Sequence, residues 1–320
     1  MSDEAPTLEA WTALHESVLA APLPAVCLVR LTVPDRIRIL HGILGRDGRA
    51  IPEGGFAGSV ILDIKGHARY QLTVHRRPDD LHLAVEDGAA GDVLAMLERQ
   101  RIFDDVTLSD HRDVLRTVTL QGPQARDVVQ ATFGVQLHDA TYTTTPFEGA
   151  AILMTPSRRS LPGGVDVFVL AKHAHALREA LTAATVPWVD QGGEDLLEAS
   201  RIEAGVARAG REAGHGVLPQ EANLANLLST TKGCYVGQEI MARLEARATV
   251  KRRLVRLKFE EGVDASIVPG LDIDVEGRNV GRLGGAAHHP TLGWIALAVL
   301  HEKVTERVTV AGCEATIVEA

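Results

Sequence analysis

From residue 252 to the end of the chain no apolar pattern keeps a helical period. Six brief alternating stretches follow one another instead, RLVRLKF, LDIDVEG, NVGRLGGAA, GWIALAVL, RVTVAG and EATIVEA, punctuated by glycine. Short period-two runs with tight turns and no helix predict a small antiparallel barrel or sandwich. This texture sets the chain from about residue 252 onward apart as a domain of its own.

The rest of the chain mixes both periods. Apolar runs such as AVCLVRLTV and SVILDI predict strands, with helices and turns such as GRDGRAIPEGG between them. ARYQLTVHR and DDLHLAVED alternate across a Pro-Asp-Asp turn and predict a hairpin. GAAGDVLAMLERQRI has helical spacing at Val93, Leu94, Leu97 and Arg101. A second unit runs from the strand VLRTVTLQG through PQARDVVQATFG, a helix opened by Pro123 and stopped at Gly134, to the strands AAILMT and VDVFVLA and the helix HAHALREALTAA. The fold expected is α+β: residues 1–245 as a body of two α+β units, and residues 246–320 as an antiparallel six-stranded β-barrel.

The chain has 320 residues and enough apolar content for a real core, with no run of eighteen apolar residues and an acidic rather than basic start. A cytoplasmic protein with no membrane segment is the expectation. Cys27, Cys234 and Cys313 are odd in number, far apart and without a CxxC, so neither a disulfide framework nor a self-contained metal site is supported. A net charge of −9 argues against nucleic-acid binding by the whole surface.

Three local features carry chemistry. In EDLLEASRIEAGVAR, read as a helix over 194–208, Leu196, Leu197, Ala199, Ile202, Ala204, Val206 and Ala207 form an apolar face, with Glu194, Glu198 and Arg201 opposite and Glu198 and Arg201 spaced as an exposed i,i+3 pair. Glu203 falls inside the apolar face, where a carboxylate must find a partner. Either it caps backbone amides at the rim, or it receives a ring bearing N–H donors. The second feature is TTKGCYVGQEI. Cys234 falls at or before the first turn of a helix beginning near Gln238, where free amides, the helix dipole and Lys232 favour a thiolate. Tyr235 either anchors the loop or offers a face to a planar ligand. The third is the basic run 243–258, holding Arg243, Arg247, Lys251, Arg252, Arg253, Arg256 and Lys258. It is either a solvated face or a site for an anionic partner such as a polyglutamate tail or an RNA backbone.

The string Lys232-Gly233-Cys234-Tyr235-Val236-Gly237-Gln238-Glu239 resembles the signature of the YgfZ family, folate-binding proteins related to the T-protein (aminomethyltransferase) of the glycine cleavage system. RIEAGVARAGREAGHGVLPQEANL is similar to the R-x-E-A-G stretch of both families, LQGPQAR to their L-Q-G-P segment, and the end of the chain to their C-terminal domain. The resemblance implies two α+β parts and a barrel around a central folate pocket, tetrahydrofolate as cofactor, and a role supporting iron-sulfur client enzymes, including those that modify tRNA. It points to Cys234 and Lys232 as reactive groups and to Glu203, Arg201, Tyr235, Gln238 and Asp166 as folate-binding ones. One departure stands out. Where T-proteins carry an aspartate thought to assist aminomethyl transfer, KGHARYQLTV has Arg69, Tyr70 and Gln71. The leading expectation is therefore a folate-binding accessory protein for iron-sulfur enzymes, with a tetrahydrofolate-dependent aminomethyltransferase as the alternative and tRNA contact at 243–258 as a third possibility.

Overall fold

Alternation in ARYQLTVHR sends Tyr70, Leu72 and Val74 to one side of a strand and Gln71, Thr73 and His75 to the other. Both sides are covered. The apolar side enters the core of one sheet, while His75, on the polar side, is 0% exposed. That arrangement governs the whole body of the molecule.

The computed structural model describes residues 7–24, 26–86, 88–102, 104–190, 192–214, 216–241, 250–260, 262–263 and 266–319. The chain opens with α1 (Leu8–Glu16), β1 (Leu19–Pro22), β2 (Cys27–Thr32), α2 (Arg36–Ile43) and β3 (Phe56–Leu62). Then come β4 (Ala68–Arg76), β5 (Asp80–Val85), α3 (Ala90–Gln100), β6 (Thr107–Asp110) and β7 (Leu115–Gln121). Next are α4 (Ala125–Phe133), β8 (Thr143–Phe147), β9 (Ala150–Ser157), β10 (Gly164–Leu170), α5 (Ala174–Ala183) and α6 (Gly193–Glu203). The last six strands are β11 (Arg252–Phe259), β12 (Asp272–Val275), β13 (Arg278–His289), β14 (Gly293–His301), β15 (Arg307–Val310) and β16 (Cys313–Glu319). Among the described residues no helix is long and apolar enough to cross a membrane.

The fold is α+β. One five-stranded antiparallel sheet has the order β3-β4-β5-β2-β6 and a second the order β1-β7-β10-β9-β8. The expected hairpin forms as β4 and β5, with Arg76 opposite Leu81. β1 crosses over: Ala20 pairs with Leu120 of β7, so the chain starts in the second sheet, builds the first, and returns. The helix after Pro123 ends as expected, at a left-handed Gly134 (φ 70°) whose N–H meets the Gln130 carbonyl. The six C-terminal runs close into an antiparallel barrel of order β11-β14-β13-β12-β15-β16.

Two expectations about α6 need correction. The helix ends at Glu203, not Arg208, because Gly205 adopts a left-handed turn (φ 66°) and Val206 emerges at the surface. Nor are Glu198 and Arg201 an exposed pair. The Arg201 side chain is 1% exposed, with Nε donating to Glu198 Oε2 at 2.9 Å and Nη2 to Glu212 Oε1 at 3.0 Å. Burial alone would raise the Glu198 carboxyl, yet Arg201 foremost, with Arg208 and Arg211, holds it down at about 2. This face of α6 is turned not to water but to the barrel, where the Gly285 N–H of β13 donates to Glu212 Oε1 at 2.7 Å.

Close approach at Gly285 is what the charge cluster requires. A Cβ at that position would collide with Arg201 Nη2 and Glu198 Oε1. Gly285→Ala should therefore destabilise the protein by about 3 kcal/mol, from overpacking against a buried ion pair. Urea unfolding of the two proteins checks it, and equal midpoints would refute the packing account.

Candidate active site

The inner faces of the two sheets do not touch along their whole length. They enclose a cavity of about 790 Å³, within the range of small-molecule sites. β4 contributes Gln71, Thr73 and His75, and β3 contributes Phe56 and Gly58. From the second sheet come Thr155 and Ser157 of β9 and Gly164, Asp166 and Phe168 of β10. On β3, β4 and β10 these positions are spaced by two, as one face of a strand demands, while β9 also brings Pro156 to the lining near its end. The loop after α6 closes one side through Asn223, Leu224 and Leu227. Arg126 and Arg158 line the cavity where it meets solvent.

Of the charged residues that line the cavity, Arg159, Glu86 and Asp166 form one contact group, beside Arg126, Asp139, Arg158, Arg201 and Arg208. Arg159, 9% exposed, donates from Nη1 and Nη2 to the two oxygens of Glu86, each at 2.9 Å. Its Nε reaches both oxygens of Asp166, at 3.0 and 2.9 Å, and Nη2 bonds Asp166 Oδ2 at 2.8 Å. Thr119 adds a hydroxyl to Asp166 Oδ1 at 2.8 Å. Burial works against the Arg159 cation, but Asp166 and Glu86 keep it charged. Two carboxylates facing one guanidinium leave the group one negative charge in excess.

His75 sits apart from this group and is treated differently. Burial drives its pKa down to about 4 against the raising influence of the His82 backbone and Asp166, so the ring is neutral near pH 7. Neither ring nitrogen makes a hydrogen bond of good geometry, the His82 backbone only lying near enough to favour the charged ring, and the Thr155 hydroxyl has no partner. Phe56 stacks on the imidazole at 5.9 Å between centroids, and Phe168 presents an edge at 5.5 Å.

Of the residues singled out from the sequence, Asp166 and Arg201 line the cavity. The others do not. Glu203 lies between two histidines, 3.5 Å from His15 Nε2 and 3.6 Å from His289 Nε2, while Arg256 bonds its carbonyl. Cys234 is exposed and outside the cavity lining. Lys232 Nζ turns away from it into the C-terminal end of α2, where it donates to the His41 carbonyl at 2.7 Å and to those of Leu44 and Arg46. The ring of Tyr235 covers that ammonium at 4.4 Å. Gln238 opens a helical turn that is described as far as Met241. Arg243 and Arg247 of the basic run lie outside the described residues. Within the remainder, Arg252 is engaged with Glu221, its Nε donating to Oε1 at 2.8 Å.

Sequence reasoning passed over His75, Thr155, Glu86 and Arg159. A signal existed in QLTVH, whose polar alternate positions face the cavity and the second sheet across it.

A family model for the GCVT N-terminal domain matches residues 14–232. The chain belongs to this family. The matched segment contains both sheets of the GCVT body and stops before the barrel. An aminomethyltransferase of Cutibacterium acnes is 27% identical over 299 residues, covering 87% of this chain and 78% of that protein. One from Streptomyces avermitilis is 26% identical over 274 residues, covering 83% and 73%. The glycine cleavage system aminomethyltransferase T of Bartonella henselae superposes with a TM-score of 0.83 at 20% identity, over 98% of this chain and 88% of that one, which establishes the shared fold. These relatives overturn the accessory role for iron-sulfur enzymes expected above and favour the transferase alternative. The geometry agrees with the correction, since the thiol that carried that role lies on the surface, away from the cavity of the GCVT body.

Burial, partly offset by Asp47, lowers the Lys232 ammonium to about 8 from 10.5. Between those values the unfolded chain binds more protons at this lysine than the folded one, so the lysine makes stability climb as pH rises from 8 to 10.5. Lys232→Met should lose that increment. Urea midpoints of both proteins across this pH range measure it, and parallel curves would contradict the placement of Nζ.

Proposed function

We propose that this chain is a tetrahydrofolate-dependent one-carbon transferase of the aminomethyltransferase type, with the folate seated between the two sheets. The observation that carries the reading is the cavity itself: a space of about 790 Å³ in a GCVT body, with unpartnered polar groups at His75 and Thr155 set among aromatic rings. Such a wall suits a flat heterocycle with polar edges. At the solvent end, Arg126 and Arg158 suit the carboxylates of a glutamyl tail.

Tetrahydrofolate supplies a secondary amine that can accept a one-carbon unit. What the chain supplies is position and field. Phe56 and Phe168 exclude water from the inner end, and the carboxylates of Glu86 and Asp166, held in place by Arg159, suit positive charge developing beside them. Gln71 is neutral and its Oε1 accepts from the Ala209 N–H at 3.1 Å, so it serves as a structural link, not as an acid. A carboxylate is nevertheless close, for the Glu86 N–H bonds the Gln71 carbonyl at 3.1 Å from the neighbouring strand. Asp166 belongs among the folate-binding groups in this reading. Arg201 supports the cavity from behind, and Glu203 supports the junction of α6 with the barrel.

Calorimetric titration with tetrahydrofolate should give micromolar or tighter binding, and Arg158→Glu should weaken it about tenfold at low salt. Formaldehyde-equivalent transfer from a protein-bound aminomethyl donor should require tetrahydrofolate and should fall at least a hundredfold in Glu86→Gln. Transfer that proceeds equally without tetrahydrofolate would rule the proposal out.

A further inference from the structure

A neutral imidazole offers one N–H and one lone pair, and leaving both unmet in a protein interior is costly. In His75 neither is met at good hydrogen-bond geometry, the nearby His82 backbone included, although the side chain is 0% exposed and lines the cavity. Thr155 repeats the pattern from the facing sheet: it is 3% exposed, lines the same cavity, and its hydroxyl has no partner. The surroundings account for the imidazole's shape but not for its nitrogens. Phe56 stacks on it, and Phe168 and Tyr142 approach edge-on at 5.5 and 6.0 Å. A phenylalanine would fill such a cage without any unsatisfied polar atom.

We propose that His75, together with Thr155, forms the hydrogen-bonding contact for the polar ring of the ligand, and so determines which heterocycle the cavity accepts. This assignment rests on the folate reading of the site. The ligand chemistry it selects is a planar ring with both donor and acceptor atoms at its edge, since a neutral histidine and a hydroxyl can answer either kind. The groups facing His75 are Asp166 of the second sheet, Arg77 at the end of its own strand, His82 of β5 and Tyr142. Their net influence leaves the ring uncharged above about pH 4, in keeping with a role that needs a lone pair as well as a proton.

The test is calorimetry with tetrahydrofolate on the full chain, combined with unfolding of the unliganded protein. His75→Phe should bind ten- to a hundredfold more weakly, yet be at least as stable as the wild type without ligand, because it removes two unsatisfied atoms. His75→Gln, which keeps a donor and an acceptor, should stay within about fivefold of wild-type affinity. Thr155→Val should lose three- to tenfold and serves if His75→Phe does not fold. Stability gives a second reading. Between pH 6.5 and 4 the unfolded chain protonates at residue 75 while the folded one does not, so wild type loses stability as pH falls through this window and His75→Phe escapes that share of the loss. Wild-type binding with undiminished affinity in His75→Phe and Thr155→Val overturns this assignment alone. Absence of binding by the wild type overturns the folate reading and the assignment with it.

Discussion

A guanidinium 1% exposed to solvent cannot keep its charge unless its donors are met, and Arg201 meets them by drawing three parts of the chain to one point. Glu198 comes from its own helix, Glu212 from the loop that follows, and Gly285 of the barrel approaches closely enough to donate its N–H to the same Glu212 oxygen. Arg201 also donates to the Val206 carbonyl, which fixes the chain as it leaves α6. From there the loop runs along the cavity wall through Ala207 and Arg208. One ion cluster thus joins the barrel to the body and sets the path of a segment that shapes the site.

The cavity exists because two sheets were given polar inner faces. Where their apolar faces are used, each sheet has its own core, one around Leu31, Leu72 and Leu83, the other around Leu120, Val165 and Val167. Gln71, Thr73, Thr155 and Asp166 cannot interdigitate as leucines would, because their polar atoms need partners. Some find them within the protein, as Asp166 does in Arg159 and Thr119. Those that do not, His75 and Thr155, mark where a ligand has something to add.

Strand periodicity was legible wherever one face is apolar and the other is not, which is why the barrel, the β4–β5 hairpin and the helix ending at Gly134 could be read directly. What a period cannot reveal is the destination of a face. Glu198 and Arg201 follow the spacing of an exposed pair, and nothing local says that a glycine ninety residues later will cover them. Gln71, Thr73 and His75 likewise have the spacing of a solvent side. The crossover of β1 into the second sheet was hidden for the same reason, since pairing partners a hundred residues apart leave no trace in local composition. For the site, the family resemblance alone pointed to Asp166 and Arg201, which line the cavity, and it missed Glu86 and Arg159, whose significance lies in their mutual contact.

The cysteine motif shows how a distinctive string can be structural in one half. Lys232 places its ammonium on the carbonyls at the end of α2, where unsatisfied C=O groups and the negative end of the helix dipole await a cation. Gly237, in a left-handed turn (φ 82°), lets the chain pass against the turn at Asp63 and Gly66, where a Cβ would come within 2.7 Å of the Asp63 carbonyl. Between these two contacts Cys234 is exposed and outside the cavity lining. Reactivity at that sulfur would therefore be directed outward, toward an approaching molecule, while the groups that line the enclosed cavity are carboxylates, guanidinium groups and an imidazole.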